Sequence, residues 1–199
     1  MHPCSSLDNI LRPHTYNTIM LKIHREDIKS DFGGTIIDIE TIGFFNDYDD
    51  SRRYKDIVPV IFGYITRNEL QIFCARNNNS VEGLKEKIME MLETLKQPFH
   101  AFNCDFEKGV FFHSLNKRVR FERELNREKM ESKARAVSDL KIPQYNDPFM
   151  DSGKMCMEAW QRGEIEKSMV HNRSCLLKER DILLKRGFRK PDVLKLVPD

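Results

Sequence analysis

The chain has 199 residues, with 33 Lys and Arg against 31 Asp and Glu and a formal net charge of +2. That length suits one domain with a sizeable core, and so even a balance neither demands nor excludes a nucleic-acid partner. No apolar run approaches the roughly 20 residues of a membrane-spanning helix, and the N-terminus lacks the continuous apolar stretch of a secretory signal.

Five cysteines, Cys4, Cys74, Cys104, Cys156 and Cys175, are scattered without C-x-x-C spacing or any zinc-ligand pattern. An odd, dispersed set points to reduced thiols and a cytoplasmic setting. Residues 1–30 read as a poorly ordered or loosely docked leader, 31–187 as the folded domain and 188–199 as a tail.

The domain opens at Gly33–Gly43, where β-branched Thr35, Ile36 and Ile37 predict a buried strand. Asp38 and Glu40 interrupt it. Side chains alternate along a strand, so these two acids share a face. Two close carboxylates in an apolar strand repel and are costly to desolvate, and a hard cation such as Mg²⁺ or Mn²⁺ relieves both penalties. The plainer alternative is an edge strand with a solvated acidic face.

Asn46–Lys55 is polar and loop-like. Ile57–Thr66 and Glu69–Ala75 follow as strands across an Arg67-Asn68 turn, giving an antiparallel meander. Ser80 is a candidate cap for a helix over Val81–Leu95, on whose apolar stripe lie Leu84, Ile88, Met91, Leu92 and Leu95. Pro98–Phe102 is a short strand, parallel by its helical crossover. Asn103 leads into a helix starting near Asp105, which would place Glu107 in its first turn, where the dipole favours an anion.

Lys117–Arg135 is densely charged and helical in propensity, read either as a solvated helix face or as an arginine arm for phosphates. Leu140–Pro148 is a loop. Phe149–Asp151 reads as a short acid-ended strand, with Asp151 a candidate cap for a helix from Ser152 to about Arg162. Trp160 reads as core. Glu164–Lys185 is the last helix, ended by Gly187, with Ile165, Met169, Leu176 and Leu183 on one stripe and His171, Cys175 and Ile182 beside it.

Asp38-Ile39-Glu40-Thr41-Ile42-Gly43 resembles the first motif of the DEDD-type 3′–5′ exonuclease superfamily, nucleases with an RNase H-like fold. Asn103-Cys104-Asp105-Phe106-Glu107 resembles the second motif, with Glu107 where the family more often has Asp. His171-Asn172-Arg173-Ser174-Cys175 resembles the third, but Cys175 stands where the branch reading H-N-x-x-D has its acid. Either Glu179, one helical turn on, supplies the fourth ligand, or the site keeps three acids.

The resemblance implies an α/β fold: a mixed sheet of three antiparallel strands and then parallel additions, flanked by helices. It further implies a two-metal hydrolysis of phosphodiesters at a DNA or RNA 3′ end with Mg²⁺ or Mn²⁺. Asp38 would bridge both cations, Glu40 and Glu179 would hold one, Glu107 would help position the other, and His171 would take the proton from water. Thr41, Asn103, Asp105, Asp151, Asn172 and Cys175 would support the ligands or the substrate. Cys175 motivates an alternative, a module of this fold with weakened or lost chemistry that binds nucleic acid or protein.

Overall fold

The computed structural model describes residues 21–198, in the order β1 (Lys22–Asp27), β2 (Thr35–Gly43), β3 (Ile57–Ile65), β4 (Glu69–Cys74), α1 (Val81–Thr94), β5 (Phe99–Ala101), α2 (Cys104–Leu115), β6 (Arg123–Glu124), α3 (Lys133–Asp139), α4 (Gly153–Gln161) and α5 (Ile165–Arg186). Among the described residues six strands form one sheet in the order β1-β4-β3-β2-β5-β6. The first four pair antiparallel; β2 with β5, and β5 with β6, pair parallel. The architecture is α/β, a mixed sheet flanked by helices.

Strand alternation sorts the two faces. Phe62 on β3 and Phe73 on β4 stack with ring centroids 6.5 Å apart, and Phe62 meets Phe111 of α2 at the same distance. Each such buried side chain contributes about 1.5–3 kcal/mol by leaving water. The neighbouring positions point the other way. A Cβ on Gly63 would lie 2.1 Å from Asn172 Oδ1 of α5, so only glycine lets that helix close on the sheet. Gly63 is the register partner of Asp38, and the close approach therefore sets α5 directly over the acidic strand.

The meander, the α1 helix, the parallel β5 and the core position of Trp160 follow the sequence expectations, with Trp160 Nε1 donating to the Ala75 carbonyl at 2.7 Å. Four expectations are corrected. Residues 22–27 are not leader but an edge strand paired with β4; residues 1–20 lie outside the described residues.

The charged run Lys117–Arg135 is not one helix. Its middle extends as β6 beside β5, burying Phe121 and Leu125, and helix resumes only at Lys133. Pairing with β5 satisfies backbone groups and buries two apolar side chains, which outweighs exposed i,i+4 ion pairs worth a few tenths of a kcal/mol each.

Phe149–Asp151 is a turn, since Met150 and Asp151 take left-handed backbone angles, φ 48° and 68°. The cap of α4 is Ser152, whose hydroxyl accepts from the Met155 N–H at 3.3 Å, and not Asp151. The tail also docks. The Ser51 N–H donates to the Lys195 carbonyl at 3.0 Å, and Arg189 pairs with Glu124 at 2.8 Å. No helix among the described residues is long and apolar enough to cross a membrane.

Candidate metal centre

Three elements deliver the acids. Asp38 and Glu40 leave β2 on its α5 face, 6 % and 8 % exposed, and the strand's pairing with β3 shifts register just after Glu40. His171, Cys175 and Glu179 recur every four residues on α5, so they stand along one side of the helix, all buried. Glu107 sits in the first turn of α2, 4 % exposed. Asn172 secures the strand to the helix by donating from Nδ2 to Asp38 Oδ2 at 2.7 Å.

The cluster has two halves. In one, the first turn of α3 inserts the ammonium of Lys133 between Asp38 and Glu179, and Glu107 lies near enough to feel their charges. Lys133 Nζ lies 2.9 Å from Asp38 Oδ1 and forms an ion pair with Glu179 Oε1 at 2.6 Å. Glu107 Oε2 and Glu179 Oε2 are buried without a hydrogen-bond donor.

Burial, and then the charges of Glu179 and Asp38, hold Glu107 well above the usual carboxylate range. Burial does the same to Glu179, and the Asp38 charge adds to it; the nearby Lys133 opposes the shift without cancelling it. Burial disfavours the Lys133 ammonium, but Asp38, Cys175 and Glu179 more than offset it and keep it charged. One lysine therefore leaves the three acids short of neutralising charge.

In the other half Glu40 faces His171, Nε2 lying 3.5 Å from Glu40 Oε1. Burial pushes the Glu40 carboxyl up to about 7, against His171 and reinforced by Asp38. His171 Nδ1 pairs with Asp147 Oδ1 at 2.7 Å, which fixes the ring. Burial works against the imidazolium, yet Glu40, Cys175 and Asp147 together carry it up to about 11. Asp147 also accepts from Lys178 Nζ at 2.7 Å, and the same ammonium reaches Asp151 at 2.9 Å, fully buried. These partners, overcoming burial, hold Asp147 well below the usual carboxylate range.

A cleft of about 530 Å³ opens over both halves, lined by Asp38, Glu40, Thr41, Asn103, His171 and Cys175 and walled by Phe44, Phe45, Phe102 and Phe106. The structure thus brings together Asp38, Glu40, Glu107, His171, Cys175 and Glu179, with Thr41, Asn103 and Asn172 beside them. Asp105 does not join: it faces a separate hollow with Tyr54 and Lys129, and its nearest cation is Lys108 at 3.9 Å. Asp151 reaches the rim, held by Lys178.

Three side chains of the cluster escaped the sequence reading: Lys133, Asp147 and Lys178. Lys178 follows Asn172 by six positions in the helix and was detectable as a cation between apolar neighbours Leu176, Leu177 and Ile182. Lys133 lay hidden in the charged run, and Asp147 in a loop with no local signal.

Buried Glu, His and Cys groups here could hold a metal ion: Glu40, His171 and Cys175 have donor atoms within 4.8 Å of one another, and so do Asp147, Asp151 and Cys175. No family model, no curated protein and no solved structure matches the chain.

Proposed function

We propose that this cleft is the active site of a divalent-metal-dependent 3′–5′ exonuclease with an RNase H-like fold, hydrolysing phosphodiesters at a DNA or RNA end. The observation that carries it is the meeting of Asp38 and Glu179, from two separate elements, on one buried cation position, with Glu107 near enough to feel both charges and its Oε2 left without a donor. Supporting it, strands β4-β3-β2-β5-β6 run in the order and sense expected of that fold. Asp38, Glu107 and Glu179 would hold Mg²⁺ or Mn²⁺ by their chemistry, since carboxylate oxygens are what those ions take.

A bound cation supplies Lewis-acid stabilisation of the phosphoryl oxygens and makes its water more acidic. Glu40 and His171 lie side by side on the cleft wall, and Glu40, held near neutrality, is matched to accept a proton from attacking water. His171 on its own is held protonated, so it assists as the partner of Glu40. Phe44 and Phe45, 80 % and 56 % exposed at the rim, offer faces on which bases stack.

The test is a short single strand of DNA or RNA labelled at its 3′ end, with Mg²⁺ or Mn²⁺. We expect stepwise release of label by the wild type and a fall of roughly 10³-fold or more in Asp38→Ala, whose loss removes an oxygen shared by the cluster. Wild-type protein that leaves every labelled strand intact in both metals overturns the reading.

Lys133 favours a second reading, a nucleic-acid or protein binding module with silenced chemistry, because its ammonium already occupies the place of a cation. Strand binding without cleavage, unchanged by Asp38→Ala, supports that module.

A further inference from the structure

The mixed half of the cluster has a composition of its own. Glu40 gives oxygen, His171 nitrogen and Cys175 sulfur, and their donor atoms lie within 4.8 Å of one another. His171 Nε2 is 3.5 Å from Glu40 Oε1 and 3.7 Å from Cys175 Sγ. Tetrahedral bonds of about 2.0–2.1 Å to nitrogen or oxygen and about 2.3 Å to sulfur imply ligand separations of roughly 3.3–3.6 Å. The two resolved edges match that geometry closely without backbone movement.

The ring is already aimed. Asp147 takes His171 Nδ1, leaving Nε2 as the atom turned to the other two donors, the carboxylate–histidine arrangement that orients an imidazole on a metal. Asp147 is itself fixed by Lys178 and by the backbone N–H groups of Phe149 and Asp151, each at 2.9 Å or less. The cleft touches Glu40, His171 and Cys175, so a fourth position opens to solvent and to any substrate. The other mixed group, Asp147, Asp151 and Cys175, is not equivalent, because the Lys178 ammonium already bridges its two carboxylates.

We propose that Glu40, His171 and Cys175 bind one borderline-soft divalent cation of the zinc class, with Asp147 orienting the imidazole and the fourth coordination position open to the cleft. This goes beyond the exonuclease reading and stands without it, since the site follows from the donor set and not from any reaction. A thiolate and an imidazole select zinc, cobalt or nickel over magnesium, which prefers oxygen alone. In place of two hard cations, the cluster then has one hard oxygen half and one soft half. The cation would displace the proton on His171 Nε2, and with it bound Glu40 and His171 act as ligands and not as proton acceptors.

Cobalt(II) is the probe, titrated into the full-length reduced protein. We expect one Co²⁺ per chain, an intense near-ultraviolet thiolate-to-cobalt charge-transfer band, and no displacement by a roughly hundredfold excess of Mg²⁺. Cys175→Ala should abolish the band and weaken binding by roughly a hundredfold or more. Cys175→Asp should exchange cobalt preference for Mn²⁺ affinity.

X-ray absorption of the zinc-loaded wild type serves even if a variant fails to fold, and should show one sulfur with nitrogen and oxygen neighbours. No stoichiometric cobalt, a band that survives Cys175→Ala, ready displacement by Mg²⁺, or a zinc shell with no sulfur or several would each overturn the site. None of these readouts depends on cleavage, so an inactive protein that binds cobalt in this way sinks the exonuclease reading alone.

Discussion

Two lysines in this molecule each bridge two carboxylates, and their surroundings differ. Lys178 is sealed: its side chain is 0 % exposed, and Asp147 and Asp151 are 0 % and 2 % exposed. Lys133 stands on the cleft wall, its side chain 15 % exposed, and a third acid, Glu107, lies beside its two partners with Oε2 unpaired. The sealed lysine has its charge matched and its geometry closed. The open one is outnumbered and reachable from solvent. A matched, sealed ion pair holds structure, whereas an outmatched one at a cleft is the place where the proposed metal would compete.

The largest expected effect comes from the sealed lysine. Lys178→Met keeps most of the volume but leaves Asp151 buried without its countercharge and Asp147 with His171 alone, a change that costs about 3–5 kcal/mol in comparable pairs. Denaturant unfolding at neutral pH should show that loss, and added divalent cations should not repair it. A loss below 1 kcal/mol would mean that Lys178 is no anchor, and the contrast with Lys133 would fail.

How far this was readable from the sequence divides along the same line. The shared face of Asp38 and Glu40 and that of His171 and Cys175 follow from periodicity, because a strand repeats every two residues and a helix places every fourth residue along one side, whereas Glu179 was reached through the acid missing from the resembled third motif. The meander and β5 were legible for the same reason. Lys133 and Asp147 were not, since each reaches the cluster by tertiary approach: Lys133 is 95 residues from Asp38, and Asp147 is 24 from His171. The run around Lys133 also misled, because its charge density suggests an exposed helix while Phe121 and Leu125 bury an extended segment against β5. The spacing of His171 and Cys175 carried a metal signal only once Glu40 was seen to meet them across the sheet.

A second, smaller effect separates the two halves by pH. The Glu40 carboxyl has an ordinary value of 4.5 and is held at about 7 in the fold, so the folded chain keeps a proton that the unfolded chain releases between those values. Unfolding free energy should therefore fall as pH rises from about 4.5 to about 7, by roughly 3 kcal/mol from this group. His171 acts in a different window: raised from 6.5 to about 11, its contribution is complete below 6.5 and is lost as pH climbs toward 11. Asp147 is depressed, so its contribution disappears only in acid, as pH drops below 3.8. Glu40→Gln should flatten the profile between pH 4.5 and 7 and leave the acid limb in place. Superimposable profiles for wild type and variant would show that Glu40 is not the strained member of its half.

The smallest effect is the most informative about the open lysine. Lys133→Met removes the ammonium from between Asp38 and Glu179, leaving three acids without a cation. Partial exposure lets water and protons relieve some of that repulsion, so the expected loss is about 2 kcal/mol, less than for Lys178. What distinguishes the two lysines is the response to Mn²⁺. Any ligand that binds only the folded state stabilises it by RT ln(1 + [L]/Kd), so a cation entering the vacated place raises the unfolding midpoint as its concentration rises. Lys133→Met should regain its stability with Mn²⁺ and bind that ion more tightly than the wild type does, because ammonium and metal compete for the same oxygens. If Mn²⁺ leaves the midpoint of Lys133→Met where it was, Lys133 is a structural countercharge like Lys178, and the open half of the cluster has no vacancy for a metal to fill.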